Sequence, residues 1–119
     1  MKESIVQSKS FDFAVSVILL CQYLTEERHE YNLSKQLVRS ATSIGANIRE
    51  ERRGQSSADF IAKMSISLKE AEESKYWLEL LNATEYADKE RLEAMLGDCD
   101  VLIKMLSSIV KTMKEKQNS

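Results

Sequence analysis

Phe11-Asp12-Phe13-Ala14-Val15-Ser16-Val17-Ile18-Leu19-Leu20-Cys21-Gln22-Tyr23-Leu24 is the stretch on which the fold turns. Set at about 100° per residue, its apolar side chains cover nearly the whole circumference of a helix. A helix that is apolar all round must be covered on more than one side. A lone four-helix bundle covers only one stripe of each helix, so a second surface of this one is expected to meet another subunit. The stretch is interrupted by Asp12, Ser16 and Gln22, and it is short for a bilayer span. No signal-peptide pattern accompanies it. The reading is a core helix of a cytoplasmic protein with no membrane partner.

Working outward, the chain reads as helices from end to end. It has 119 residues, no proline and three glycines, Gly45, Gly54 and Gly97. Strand-rich folds need many turns, and turns favour Gly, Pro, Asn and Asp. Few breakers in a chain of this length therefore mean a few long helices. The first is expected over about 4–28, its start at Ser4 or Ser10. The second covers about 33–53, with Leu33, Leu37, Ala41, Ile44 and Ile48 on one side and Gly54 as its stop. The third covers about 57–84, opened by Ser56 with Asp59 three residues on. Its core stripe is Phe60, Met64, Ser67, Ala71, Ser74, Leu78 and Leu81, whose small members admit close approach of another helix. The fourth covers about 89–114, capped by Asp88, and the tail from Lys114 is expected to fray. Short connections make sequential helices antiparallel neighbours. The predicted fold is all-α: one antiparallel, up-and-down four-helix bundle over 1–119, homo-oligomeric. Val15, Leu19, Ile66 and Trp77 are the expected oligomer contacts.

Composition narrows the function. Hydrophobic residues make up 43% of the chain and charged residues 30%, an ordinary globular balance. A net charge of −2 is too balanced for a surface that binds nucleic acid everywhere. Cys21 and Cys99 sit in apolar stretches, far apart, and read as reduced core thiols. His29 is the sole histidine. With Glu26 it gives a single Glu-x-x-His match, whereas carboxylate-bridged metal pairs in bundles need two and further inward acids. Triad chemistry needs a base within reach of a nucleophile, and His29 lies among Glu26, Glu27, Arg28 and Glu30. No catalytic residue, cofactor or metal ligand is therefore expected.

The remaining polar residues are weighed as surface and register. Residues 31–55 hold five basic and two acidic side chains, a local charge of +3 against −5 for the rest. Lys35, Arg39, Arg49 and Arg53 recur along one side of helix two, with Arg52 nearby. This stripe is the candidate contact for nucleic acid or a protein partner; its competing reading is a solvated face or ion pairs. Helix two has no aromatic residue among these cations, so base stacking is not expected there. Glu70 is read as a solvated acid or as the partner of a helix-two arginine, with Lys69 and Glu73 pairing at four-residue spacing. Asn47, flanking the apolar stripe with Ser40 and Ser43, is expected to fix helix register.

The run Thr42-Ser43-Ile44-Gly45-Ala46-Asn47-Ile48 resembles the helix-two motif of the 23S ribosomal RNA intervening-sequence protein family. Ser57-Ala58-Asp59-Phe60-Ile61-Ala62-Lys63, then Ser67-Leu68-Lys69-Glu70-Ala71 and Tyr76-Trp77-Leu78, resemble its helix-three pattern. Ser43, Ile44, Asn47, Ile48, Glu50, Phe60 and Glu70 carry the resemblance as structural positions. Many members read Asn-Ile-Ala-Glu-Gly where this chain has Asn47-Ile48-Arg49-Glu50-Glu51, so the glycine is replaced. The resemblance implies a bacterial four-helix bundle that self-associates, commonly as a pentamer. It also implies a distant relation to the accessory variability protein of diversity-generating retroelements, a basic pentamer that works with nucleic acid. For the family at large it implies no established activity. The function expected is a non-enzymatic accessory protein that binds itself and RNA or a nucleic-acid-handling protein. The alternative is a structural or protein-interaction module with no nucleic-acid affinity.

Overall fold

A computed structural model describes residues 2–51 and 56–118, with side chains from Ile5 to Glu50 and from Ser56 onward. Arg52, Arg53 and Gly54, and with them the expected helix stop, lie outside the described residues. The fold is all-α, with no strand among the described residues. Its four helices are α1 (Lys2–Glu26), α2 (Asn32–Glu51), α3 (Ser57–Ala83) and α4 (Lys89–Asn118). They form a body of 51 × 23 × 21 Å. α2 packs on both α1 and α3, α3 packs on α4, and α1 meets α4 along a sparser seam.

Each boundary has a local cause. At the end of α1, His29 takes a left-handed φ of 54°, a conformation His adopts more readily than most residues. The Glu30 N–H then folds back onto the Leu24 carbonyl at 2.9 Å. Ser56 accepts from the Asp59 N–H at 3.1 Å and opens α3. α3 closes through Glu85 at φ 58°, with the Tyr86 N–H on the Leu81 carbonyl and the Glu85 N–H on Asn82. Those two bonds make a Schellman ending with glutamate in glycine's usual place. Asp88 accepts from the Arg91 N–H at 3.0 Å and opens α4. α4 extends to Asn118, four residues beyond the boundary expected at Lys114. Nothing in Lys111–Asn118 breaks a helix, and Lys116 sits in the last turn, where the negative end of the helix dipole favours a cation.

The core is continuous from end to end. Phe13, Val17, Leu20 and Leu24 of α1 are buried with Leu37, Ile44, Met64, Leu78, Leu92 and Leu102 from the others. Cys21 and Cys99 are buried free thiols, as the sequence suggests. Ser67, Ala71 and Ser74 line the buried side of α3. Phe60 is corrected: it is half-buried against the core, and Ile61 takes the buried place at the start of α3. The residue that enters the core there is the one-step neighbour, a rotation of about 100° on the helix.

Candidate functional surface

The basic side of α2 is divided between two neighbours. Arg39 forms ion pairs with Glu70, at 3.4 Å, and with Glu73, both on α3. Glu73 also accepts from the Trp77 indole N–H at 3.2 Å. Glu70 therefore has the helix-two arginine that the sequence allowed, and it has it within one chain. Glu73 faces α2 and does not pair with Lys69. These groups are partly exposed, so the network holds the α2–α3 flank at a modest gain.

Arg49 leans the other way. Its guanidinium lies over the ring of Phe11 on α1, 5.7 Å from the centroid. Phe11 is itself 55% exposed. α2 itself has no aromatic residue among its cations; the ring beside Arg49 is supplied by α1. Gly45 allows the two helices to meet here: a Cβ on it would stand 3.1 Å from the Ser10 hydroxyl, which is fully buried. Phe11 and Arg49 line a groove together with Gln7, Ala14, Thr42 and Ala46. Lys35 lies further along the same α1–α2 face, beside Ile18, Tyr31 and Val38. Glu50 pairs with Lys63 of α3 at 2.7 Å.

Serine hydroxyls bridge α2 and α3, while the Asn47 amide bonds within its own helix. The Asn47 amide donates to the Ser43 carbonyl one turn back, at 2.8 Å. Between α2 and α3, the Ser67 hydroxyl donates to the Ile44 carbonyl at 2.9 Å, and the Ser40 and Ser74 hydroxyls meet at 2.8 Å. All three serines are buried. A hydroxyl is short enough to bond across two closely packed helices, whereas the half-buried Asn47 amide reaches its own helix first.

The outward face of α1 carries Val15 at 41%, Leu19 at 53% and Ile18 at 40% exposure. Ile66 of α3 is exposed to the same degree as Val15, while Trp77 is half-buried against the core. The missed member is Ile18, whose three-residue spacing from Val15 was the available signal. α1 from Ile5 to Glu26 is long and apolar enough, by length and composition, to cross a membrane. The sequence expectation of a span too short is corrected in that respect, because the helix begins well before Phe11. A third of its most apolar window is buried within this fold.

The thiols offer no nucleophile at neutral pH. Burial pushes Cys21 up to about 11 and Cys99 up to about 12. The Cys99 thiol donates to the Ala71 carbonyl, and Cys21 to that of Ser34. His29 is exposed and contacts the Tyr31 hydroxyl at 3.2 Å. No group of three or more His, Cys, Asp or Glu suited to a metal ion exists among the described residues.

Residues 2–108 match the family model of the 23S rRNA-intervening sequence protein. The chain belongs to that family. A crystal structure of a protein of unknown function from the S23 ribosomal protein family, from Bacteroides thetaiotaomicron, is 50% identical to this member. The match covers 93% of this chain and 99% of that one, with a TM-score of 0.89. No curated protein matches this family member. Family membership thus accounts for the fold and the motif residues of α2 and α3, and assigns no reaction to them.

Proposed function

We propose that this protein is a non-catalytic, cytoplasmic, up-and-down four-helix bundle that assembles with further copies of itself, as a pentamer. The observation that carries this reading is the outward face of α1. Val15, Ile18 and Leu19 stand exposed together on a helix whose other side is already in the core. Contiguous apolar surface of this kind marks an interaction site on a globular protein. Partner numbers that fall along one helix as they rise along the next support the antiparallel arrangement: Ile44 with Ser67 and Ser40 with Ser74. Light scattering after gel filtration at micromolar concentration is expected to give a mass several times 13.6 kDa. A monomer would overturn the reading.

A second reading makes the assembly an RNA accessory protein that uses Lys35, Arg39, Arg49, Arg52 and Arg53, or a docking module for a nucleic-acid-handling protein. One observation favours it over a purely structural module: the Arg49 guanidinium lies over the exposed Phe11 ring, which sets a cation beside an aromatic face. Retention of RNA that weakens steeply as salt rises is the expected behaviour, since each neutralised phosphate releases counterions. No binding at low salt would leave the structural assembly alone.

A further inference from the structure

Charge is unevenly spread along the molecule. The level of Phe13, Ser43, Lys69 and Val101 divides it across its long axis. One half holds the start of α1, the end of α2, the start of α3 and the end of α4 (residues 2–13, 43–51, 56–69 and 101–118). There, nine Lys and Arg face six Asp and Glu, a surplus of three positive charges. In the opposite half (14–42 and 70–100), six Lys and Arg face thirteen Asp and Glu, a surplus of seven negative charges. A net charge of −2 conceals this separation.

The groove between Phe11 and Arg49 lies mainly in the cationic half, with Ala14 and Thr42 just across the dividing level. It combines an exposed aromatic face, a guanidinium over that ring, and the small lining residues Gly45 and Ala46. We propose that this groove is a base-stacking site for single-stranded nucleic acid, with Phe11 taking a base and Arg49 an adjoining phosphate. Stacking on an aromatic ring is sequence-tolerant, because every base has a π face, and cations beside it hold the backbone. A duplex keeps its bases stacked internally and presents none to Phe11. Charge complementarity selects this occupant: the groove sits on the half with surplus cations, and Phe11 is the aromatic that α2 itself lacks. The inference rests on the RNA reading above and moves its centre from the α2 stripe to the seam between α1 and α2.

The test is fluorescence anisotropy of a labelled oligoadenylate RNA with the full-length chain. Duplex RNA and inorganic polyphosphate serve as competitors, and light scattering runs alongside. The single strand is expected to bind, and the duplex to compete less well than unlabelled oligoadenylate. Phe11→Ala should weaken binding about tenfold or more, the usual effect of removing one stacking ring. Phe11→Trp should restore it. Arg49→Gln should weaken binding and lower the salt slope by about one phosphate contact. Binding that Phe11→Ala leaves unchanged, or that polyphosphate and duplex abolish as readily as oligoadenylate does, overturns the stacking site while leaving an RNA-binding protein. Absence of any binding at low salt, with Phe11→Ala lowering the assembly mass, overturns both and gives the groove to a second copy of the chain.

Discussion

Glu30 is almost wholly withdrawn from solvent, yet its carboxylate is fully used. Its two oxygens accept from the Leu33 and Ser34 N–H groups at 2.8 Å, and the Ser34 hydroxyl adds a third bond at 3.0 Å. The acid therefore satisfies two of the orphan donors at the start of α2 and opposes the positive end of its dipole. Glu30→Ala is expected to cost about 1–2 kcal/mol in chemical denaturation, the upper part of the range for losing a helix cap. Glu30→Gln should cost less, because one carbonyl acceptor survives. The sequence places Glu30 in a polar connection and gives no hint of its burial, since a cap formed by a residue two positions outside the helix has no fixed pattern. Glu85 makes the converse case. A non-glycine residue held at φ 58° is strained, so Glu85→Gly should raise stability by about 0.5–1 kcal/mol. No change on thermal melting would mean that Glu85 repays its strain through contacts. The thiols give a third outcome. With Cys21 at about 11 and Cys99 at about 12, a disulfide reagent at pH 8 should find none reactive in the native protein and two per chain in denaturant. Raised thiol values also mean that folding retains protons that the unfolded chain releases. Stability is therefore whole below about pH 9 and declines as pH rises from 9 through 11 to 12.

At the scale of the element, what a single helix encodes was more readable than what two helices share. The four helices follow from the scarcity of breakers and from Ser56 and Asp88, whose capping bonds are present. Ser67, Ala71 and Ser74 read as a stripe of close approach, and all three are buried. Phe60 was misplaced because periodicity cannot choose between Phe60 and Ile61 at a helix end, where a single neighbouring turn fixes the phase. Asn47 was assigned to register because its chemistry suits that role; its partner is decided by reach, and its own helix is nearest. The basic residues of α2 form one stripe on a wheel, but Arg39 turns to α3 and Arg49 to α1. Phe11 is 38 residues from Arg49 in sequence, and no periodicity links them. The α3–α4 contact offers a direct check. Ala71 is fully buried, and its carbonyl accepts from the Cys99 thiol at 3.2 Å. Ala71→Leu must place three more carbons where α4 already lies, at a cost of about 1–3 kcal/mol. An unchanged melting temperature would mean that the helices part without penalty.

Taken as a whole, the molecule has one helix with more apolar surface than its own core can use. Phe13, Val17, Leu20 and Leu24 point inward, and Phe11, Val15, Ile18 and Leu19 point outward. The same all-round character gives α1 the length and composition of a membrane span, so composition alone leaves the destination of the outer face open. The two faces can be separated by charge. Val17→Lys buries an ammonium with no partner among core residues, which a fold of this size tolerates poorly; loss of helical circular dichroism is expected. Val15→Lys with Leu19→Lys places both ammonium groups on the exposed side, where each keeps its hydration. Helicity should persist while the mass in solution drops toward 13.6 kDa. If that double variant keeps the mass of the native assembly, the copies meet elsewhere, and Ile66 of α3 is the next exposed apolar position to charge. If both variants unfold alike, the outer face of α1 is as deeply committed to the single chain as its inner face, and the case for self-assembly through it fails.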